Sequence, residues 1–194
     1  MATTRRRGAE LDSAIHEAVV AELHDSGFAG LTFEAVAARA GTSKAVLYRR
    51  WDSKLEMVVA AMANTRFGLI RADDTGTLAG DLRSTIGDVL ERLNDPGREV
   101  ALGILAGAAA DPDSGALRVL QAKAEELGGT IIARARDRGE IGDGDIPATV
   151  VTMPFDLARY RFLMAGTLTL ESIADIVDTA AVPLIGLYAS TGPT

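Results

Sequence analysis

Residues 31–54 read LTFEAVAARAGTSKAVLYRRWDSK, and this stretch decides the fold. Its apolar side chains recur at helical spacing on both sides of Gly41, a residue type that suits a turn with positive φ. Thr32 and Ser43 stand where the two helices would begin, and both residue types are favoured N-caps. The stretch therefore predicts two short helices joined by a tight turn, with the motif spanning residues 32–51.

The second of these helices has one face that is suited to contact with DNA. In a helix-turn-helix, the second helix enters the major groove and the first crosses the phosphate backbone. Lys44 and Arg49 can donate hydrogen bonds to guanine, and the Tyr48 hydroxyl can reach a phosphate. Ala45 and Val46 are small enough for close approach and can touch a thymine methyl group.

Helix N-termini around the motif predict further contacts with the DNA backbone. Thr32, Ser43 and Lys54 mark three helix starts, where free backbone N–H groups and the helix dipole favour a phosphate. Thr42, in the turn itself, completes the predicted DNA-contacting set. Three arginines at residues 5–7 are expected to form a flexible arm that reaches a neighbouring groove or the backbone.

Outside the motif the sequence predicts an all-α protein of about nine helices, because apolar residues follow helical spacing without strand-like alternation. A fourth helix, opened by a capping box of Ser53 and Glu56, is expected to follow the three helices of the DNA-binding domain. A Gly/Thr/Asp-rich linker at residues 73–80 is the clearest change of composition. It predicts an N-terminal DNA-binding domain, residues 1–70, and a C-terminal helical domain, residues 71–194.

Two features of the C-terminal domain predict packing surfaces. Gly103 and Gly107 lie four residues apart in a helical segment, so another helix is expected to approach closely there. The last predicted helix, residues 170–189, is apolar over most of its girth. One apolar face packs against the helix's own chain, and the second needs another partner. We therefore expect this helix to pack against a partner subunit.

Composition and charge exclude several classes of function. The net charge is −7, but residues 1–66 carry +1 and residues 67–194 carry −8, which confines a DNA-binding surface to the N-terminal part. With two histidines, no cysteine and no recognisable catalytic motif, we expect no enzyme, no metal site and no cofactor. An apolar signal segment is absent, and the longest apolar run, residues 100–110, is too short to cross a bilayer. A cytoplasmic protein without a membrane partner is expected.

Residues 37–62, written AxxAGTSKAVLYRRWDSKLEMVVAAM, resemble the DNA-binding domain of the tetracycline-repressor (TetR) family of transcriptional regulators. The resemblance covers roughly residues 10–62 and is carried by Gly41, Ser43, Leu47, Tyr48, Trp51, Ser53 and Lys54. Two departures are visible. Thr42 stands where an aliphatic residue is common, and Arg49 and Arg50 stand where a histidine or an aromatic residue is common. The paired arginines are expected to alter sequence preference and to add affinity for phosphate.

The resemblance implies a repressor that binds a palindromic DNA operator as a homodimer and is released by a small molecule. The dimer it implies forms through the last two predicted helices, residues 147–165 and 170–189. The resemblance places the effector site inside the C-terminal helical domain, where we expect a largely apolar ligand. The candidate ligand-binding residues are Leu105, Leu120, Phe155, Arg159, Tyr160 and Phe162. The same side chains also fit a plain core and dimer interface. A dimeric helix-turn-helix protein without any small-molecule effector is the alternative.

Overall fold

The structure, a computed structural model, describes residues 8–64, 70–94, 98–110 and 115–190. These residues form an all-α protein without strands, as predicted. They contain ten α-helical segments. The last two, Leu170–Ile176 and Val182–Ser190, are joined by the wide π-helical turn Val177–Ala181 into one continuous helix, so nine separate helices are present in the described residues. In chain order the helices are α1 Ala9–Gly30, α2 Phe33–Ala40, α3 Lys44–Tyr48, α4 Lys54–Asn64, α5 Leu78–Asn94, α6 Arg98–Ala110, α7 Ala116–Asp137, α8 Ala148–Ala165, α9 Leu170–Ile176 and α10 Val182–Ser190.

The chain divides into two compact units that do not follow a single cut in the sequence. The first unit consists of α1 to α4, α6 and the start of α7, and the second consists of most of α5, the rest of α7 and α8 to α10. Helix α6 thus belongs with the N-terminal helices although it follows α5 in the chain. A division of function between residues 1–70 and 71–194 stays a prediction.

Helices α1 to α4 of the first unit share one apolar core. Ile15, Val36, Leu47 and Met57 come one from each helix and are fully buried. Helix α1 bends at Gly27, whose φ of 65° and ψ of 177° are readily adopted by glycine alone. The chain resumes a helical turn after the bend.

Within the first unit, helix α6 packs against α1 and α4 at its two glycines, as their spacing predicted. A Cβ atom added at Gly103 would lie 2.6 Å from ring atoms of Phe28, in the turn that follows the bend of α1. A Cβ atom at Gly107 would lie 3.4 Å from Leu55 of α4. A side chain at position 103 would therefore disturb its contact, whereas a Cβ at position 107 would meet Leu55 at an ordinary van der Waals distance.

The segment predicted as a linker is held in the second unit by a buried polar network. Asp81, fully buried in the first turn of α5, accepts hydrogen bonds from the Thr75 amide at 2.6 Å and the Thr75 hydroxyl at 2.8 Å. Arg138, just beyond α7, donates to the other Asp81 oxygen at 2.9 Å. Glu140 accepts from the backbone amide of Leu78 at 2.8 Å and so caps α5. Residues 73–77 are therefore anchored at both ends.

The pKa of the Asp81 carboxyl reflects two opposing influences. Burial raises this pKa because it disfavours the charged carboxylate. The hydrogen bonds from Thr75 and the ion pair with Arg138 lower it, and together they outweigh burial, so the pKa lies below its ordinary value. Asp81 is therefore a buried carboxylate that stays ionised.

The C-terminal helices of the second unit bury one face and expose another. Phe162, Ile176 and Ile185 are almost fully buried. The continuous helix Leu170–Ser190 has a mean hydropathy of 1.4 over its most apolar window and is long enough to cross a bilayer by length and composition alone. A helix that packs against protein on two faces meets the same criterion.

Candidate nucleic-acid interface

The turn between α2 and α3 has the geometry that its sequence predicted. The Thr32 hydroxyl accepts a hydrogen bond from the Ala35 amide at 3.1 Å and so caps α2. Helix α2 ends at Gly41, whose φ is 66°. The Gly41 amide donates to the Ala38 carbonyl at 3.2 Å, and the Thr42 amide donates to the Ala37 carbonyl at 2.9 Å. This pair of bonds is a Schellman motif, which sets the direction of the chain into α3.

Helix α3 lacks the cap that the sequence predicted. Ser43 has extended backbone at the N-cap position, but its hydroxyl makes no capping hydrogen bond. The helix ends at Tyr48, because the Arg50 and Trp51 amides both donate to the Leu47 carbonyl in a tighter turn. This turn brings the chain to the start of α4.

The two faces of α3 divide as predicted into a buried side and an exposed side. Leu47 is fully buried, and half-buried Trp51 packs against the same core. Lys44 and Tyr48 are each 53% exposed. The Tyr48 ring stacks on Phe33 of α2 with 4.4 Å between ring centroids, which fixes the exposed ring against the start of α2. Ala45 and Arg49 are also exposed, and Val46 is half-buried.

Two cations near α3 are paired with carboxylates from other helices. Lys44 donates to the Glu34 carboxylate of α2, and Arg50 donates to the Asp12 carboxylate of α1. Within the described residues Arg49 forms no ion pair. These pairings were not predicted, because their partners lie 10 and 38 positions away in the sequence.

Two further cations of the motif region hold helices together. Arg39 donates to Glu22 at 2.7 Å and to Asp25 at 2.6 Å, which joins α2 to α1. The Lys54 ammonium donates to the backbone carbonyls of Phe28 at 2.8 Å and Ala29 at 3.2 Å. Lys54 therefore ties the start of α4 to the end of α1, and its contact with phosphate stays a prediction.

The start of α4 has a capping box that differs slightly from the predicted one. The Glu56 amide donates to the Ser53 hydroxyl at 3.1 Å, as expected. The Glu56 carboxylate accepts from the amide of Asp52 at 2.9 Å instead of the amide of Ser53. The predicted arm at residues 5–7 lies outside the described residues.

The candidate ligand-binding residues do not share one environment. Phe155 and Phe162 lie on the buried face of α8, whereas Tyr160 lies on the other side of that helix and is 61% exposed. Half-buried Arg159 pairs with Asp156. Leu120 of α7 is half-buried in the second unit, and Leu105 of α6, also half-buried, belongs to the first unit. The assignment of these six residues to an effector site stays a prediction.

The geometry of α2, its glycine turn and α3 defines a helix-turn-helix protein of the DNA-binding class. A family model described as bacterial regulatory proteins, tetR family, matches residues 15–61, and a model described as tetracyclin repressor-like, C-terminal domain, matches residues 72–180. The chain belongs to the TetR family of transcriptional regulators. It is a DNA-binding regulator and not an enzyme.

Curated proteins and solved structures agree with this assignment. An uncharacterized HTH-type transcriptional regulator of Mycobacterium tuberculosis is 31% identical over 176 residues, which cover 88% of this chain and 84% of that protein. The crystal structure of the TetR family transcription regulator SCO0332 matches 95% of this chain and 100% of its own, with a TM-score of 0.75 and 24% identity. The structure of a TetR-family regulator from Mesorhizobium loti matches 95% of this chain and 100% of its own, with a TM-score of 0.63 and 21% identity. These two structures are similar in fold.

Proposed function

We propose that the protein is a cytoplasmic repressor that binds a palindromic operator as a homodimer and leaves it when a largely apolar small molecule binds. The exposed face of α3, the recognition helix, reads one half-site. One observation carries the proposal: the same chain has this exposed face on α3 and exposed apolar side chains on α8 and α10. A two-fold dimer presents two recognition helices to the two halves of a palindrome.

The apolar face on α8 and α10 supports dimerisation. Tyr160 and Met164 lie one turn apart on α8 and are each 61% exposed. On α10, Leu187 is 60% exposed and Tyr188 is 36% exposed. Large apolar side chains that cluster on a surface mark a site of protein association. Pairing of these helices with the same helices of a second copy would cover them.

Replacement of this face by charge tests the dimer. The double variant Tyr160→Glu and Leu187→Glu is expected to run as a monomer in analytical ultracentrifugation, because two carboxylates per chain would be buried at the interface. Leu102→Glu, at an exposed leucine of α6 in the first unit, is the matched control and should remain dimeric. A wild-type protein that is monomeric at micromolar concentration would contradict the proposal.

Substitutions on the recognition helix test operator binding. Footprinting on the promoters next to the protein's own gene identifies the operator. Lys44→Ala and Tyr48→Ala should then abolish its specific retardation in gel shifts, while the dimer remains intact. Lys123→Ala, which removes an ammonium from α7 in the second unit, is the matched control for charge. Unchanged operator affinity in either α3 variant would contradict the role of this helix.

Release by a small molecule follows from a shift between two conformers of the dimer. A ligand that binds better to the conformer with wrongly spaced recognition helices draws the population towards it. A ten-fold loss of operator affinity needs about 1.4 kcal/mol of differential binding. A thermal-shift screen against hydrophobic metabolites and drugs tests this step. If no compound shifts the melting temperature or releases DNA, the protein is a regulator without a small-molecule effector.

A further inference from the structure

The recognition helix is accompanied by a carboxylate that covers its first cation. Glu34 lies in the first turn of α2, and Lys44 is the first residue of α3. Their side chains form an ion pair, although more than half of each remains exposed to solvent. The hydrogen bond between them lowers the pKa of the Glu34 carboxyl and raises the pKa of the Lys44 ammonium. Both groups are therefore charged at neutral pH.

The stacked rings of Phe33 and Tyr48 join the two helix segments that carry this ion pair. Phe33 directly precedes Glu34, and Tyr48 lies one helical turn after Lys44 on the same face of α3. The ring planes are inclined by only 16°, so the start of α2 is fixed against the face of α3. The backbone positions that carry Glu34 and Lys44 are therefore held close to each other.

The Glu34 carboxylate occupies the places at which DNA phosphate is expected. The positive end of the α2 dipole and the Lys44 ammonium both attract an anion. The Glu34 carboxylate serves as the anion for both, because it lies in the first turn of α2 and accepts a hydrogen bond from Lys44. A phosphate that approaches the motif must displace this carboxylate and is repelled by its charge. The recognition face is thus less attractive to the DNA backbone than its cations indicate.

We propose that Glu34 is a specificity-determining residue, whose carboxylate holds Lys44 on the protein surface and releases it to an acceptor on the operator. This inference rests on the proposed function. Non-specific binding depends on phosphate neutralisation and counterion release, so a lysine that already has an anionic partner adds little to it. On the operator, contacts from Tyr48 and Arg49 keep α3 in the groove while Lys44 exchanges Glu34 for a base edge. Glu34 therefore suppresses binding to DNA that lacks the operator.

Binding of Glu34→Gln to operator and scrambled DNA, measured by fluorescence anisotropy over a range of salt concentrations, tests this inference. We expect affinity for scrambled DNA to rise by about three- to ten-fold, and its salt slope to steepen by about 0.9, because one more phosphate contact forms. Operator affinity should rise less, so the ratio between the two affinities falls. Glu17→Gln is the matched control, since Glu17 accepts only from Ser13 among the described residues and pairs with no cation there.

A double-mutant cycle separates the role of Lys44 from general charge repulsion. In a Lys44→Ala background, Glu34→Gln should leave affinity for scrambled DNA unchanged. The inference is overturned if Glu34→Gln acts equally in that background, or if it weakens operator binding and leaves scrambled DNA unaffected. A wild-type protein that prefers no DNA fragment over another would instead overturn the proposed function. If the wild-type protein prefers its operator and Glu34→Gln keeps that preference undiminished, the inference is overturned and the proposed function stands.

Discussion

The ion pairs beside α3 in the first unit and the ion pair of Asp81 in the second hold their charges in opposite ways. In the first unit, Lys44 and Arg50 pair with carboxylates that remain at least 44% exposed. In the second unit, Arg138 pairs with Asp81, which is fully buried. An exposed ion pair contributes little to stability, because water and salt compete for both partners. When one member of a buried pair is removed, the other is left without compensation, which costs much more.

This difference separates charges that can change partners from charges that cannot. Under the proposed function, the exposed cations beside α3 exchange a carboxylate for DNA at small cost in folding stability. The buried network around Asp81 instead fixes the segment before α5 to the end of α7. We therefore expect the surroundings of α3 to owe their stability to apolar packing and caps, and the segment before α5 to depend on a buried polar network as well.

The largest expected effect is in the buried network of the second unit. Asp81→Asn should lower the free energy of unfolding by about 3 kcal/mol, because Arg138 loses its buried partner. Urea denaturation followed by circular dichroism measures the change. Asp74→Asn, which removes an exposed carboxylate paired with the same arginine, is the matched control and should have an effect below about 0.5 kcal/mol. Equal effects of the two substitutions would remove the contrast between buried and exposed pairs.

The pH dependence of stability offers a second measurement on Asp81. The pKa of this carboxyl is lower in the folded protein than in the unfolded chain. Its contribution is therefore fully present above the unfolded pKa and is lost as pH falls through the folded pKa. The stability of Asp81→Asn should accordingly fall less steeply at acid pH than that of the wild-type protein.

Packing should matter most in the first unit, at the contact between α6 and α1. Gly103→Ala is expected to destabilise the protein by about 2 kcal/mol, because its Cβ would overlap the Phe28 ring. Gly87→Ala, within α5, is the matched control, since a Cβ there meets no atom within 4 Å. It should raise stability by about 0.5–1 kcal/mol through helix propensity. Stabilisation by Gly103→Ala would show that this contact is not tight.

The cap of α2 should have an intermediate effect. Thr32→Ala removes the hydroxyl that accepts from the Ala35 amide and is expected to cost about 1 kcal/mol. Thr32→Ser keeps the acceptor and should retain most of the stability. Thermal unfolding of the two variants distinguishes the cap from the predicted phosphate contact, because it is measured without DNA.

The smallest effect is expected at an exposed ion pair of the first unit. Asp12→Asn removes the partner of Arg50 and should change the free energy of unfolding by no more than about 0.5 kcal/mol. Its affinity for DNA should increase, because the arginine becomes available to phosphate. A loss of stability comparable to that of Asp81→Asn would contradict the view that this pair is exchangeable.

Local signals in the sequence predicted much of the fold. Thr32, Gly41 and Ser53 act at helix ends through contacts within a few residues, so residue type and spacing suffice to predict them. The division of α3 into a face with Leu47 and a face with Lys44 follows from helical periodicity in the same way. The family resemblance then predicted the overall class from these same residues.

Long-range pairings could not be predicted from the sequence. The cluster of cations in residues 31–54 predicted a basic surface, but the carboxylates of Asp12 and Glu34 reach it through the tertiary fold. The composition of residues 73–80 likewise indicated a linker. The pairing of Arg138 with Asp81, which holds this segment in place, has no local signal in the sequence. Charge counts describe a segment, whereas the field at a surface depends on which helices meet there.

The π-helical turn in the last helix has a consequence for how chain length can vary. The buried residues Ile173, Val177, Ala181, Ile185 and Ala189 follow a strict four-residue interval. In a regular α-helix of 3.6 residues per turn, this interval would drift by about 40° at each step. The wide turn at Val177–Ala181 opposes that drift and keeps both halves directed at the core. Because such a turn is an α-helix with one additional residue, we expect a one-residue deletion there to be accommodated better than elsewhere in the helix.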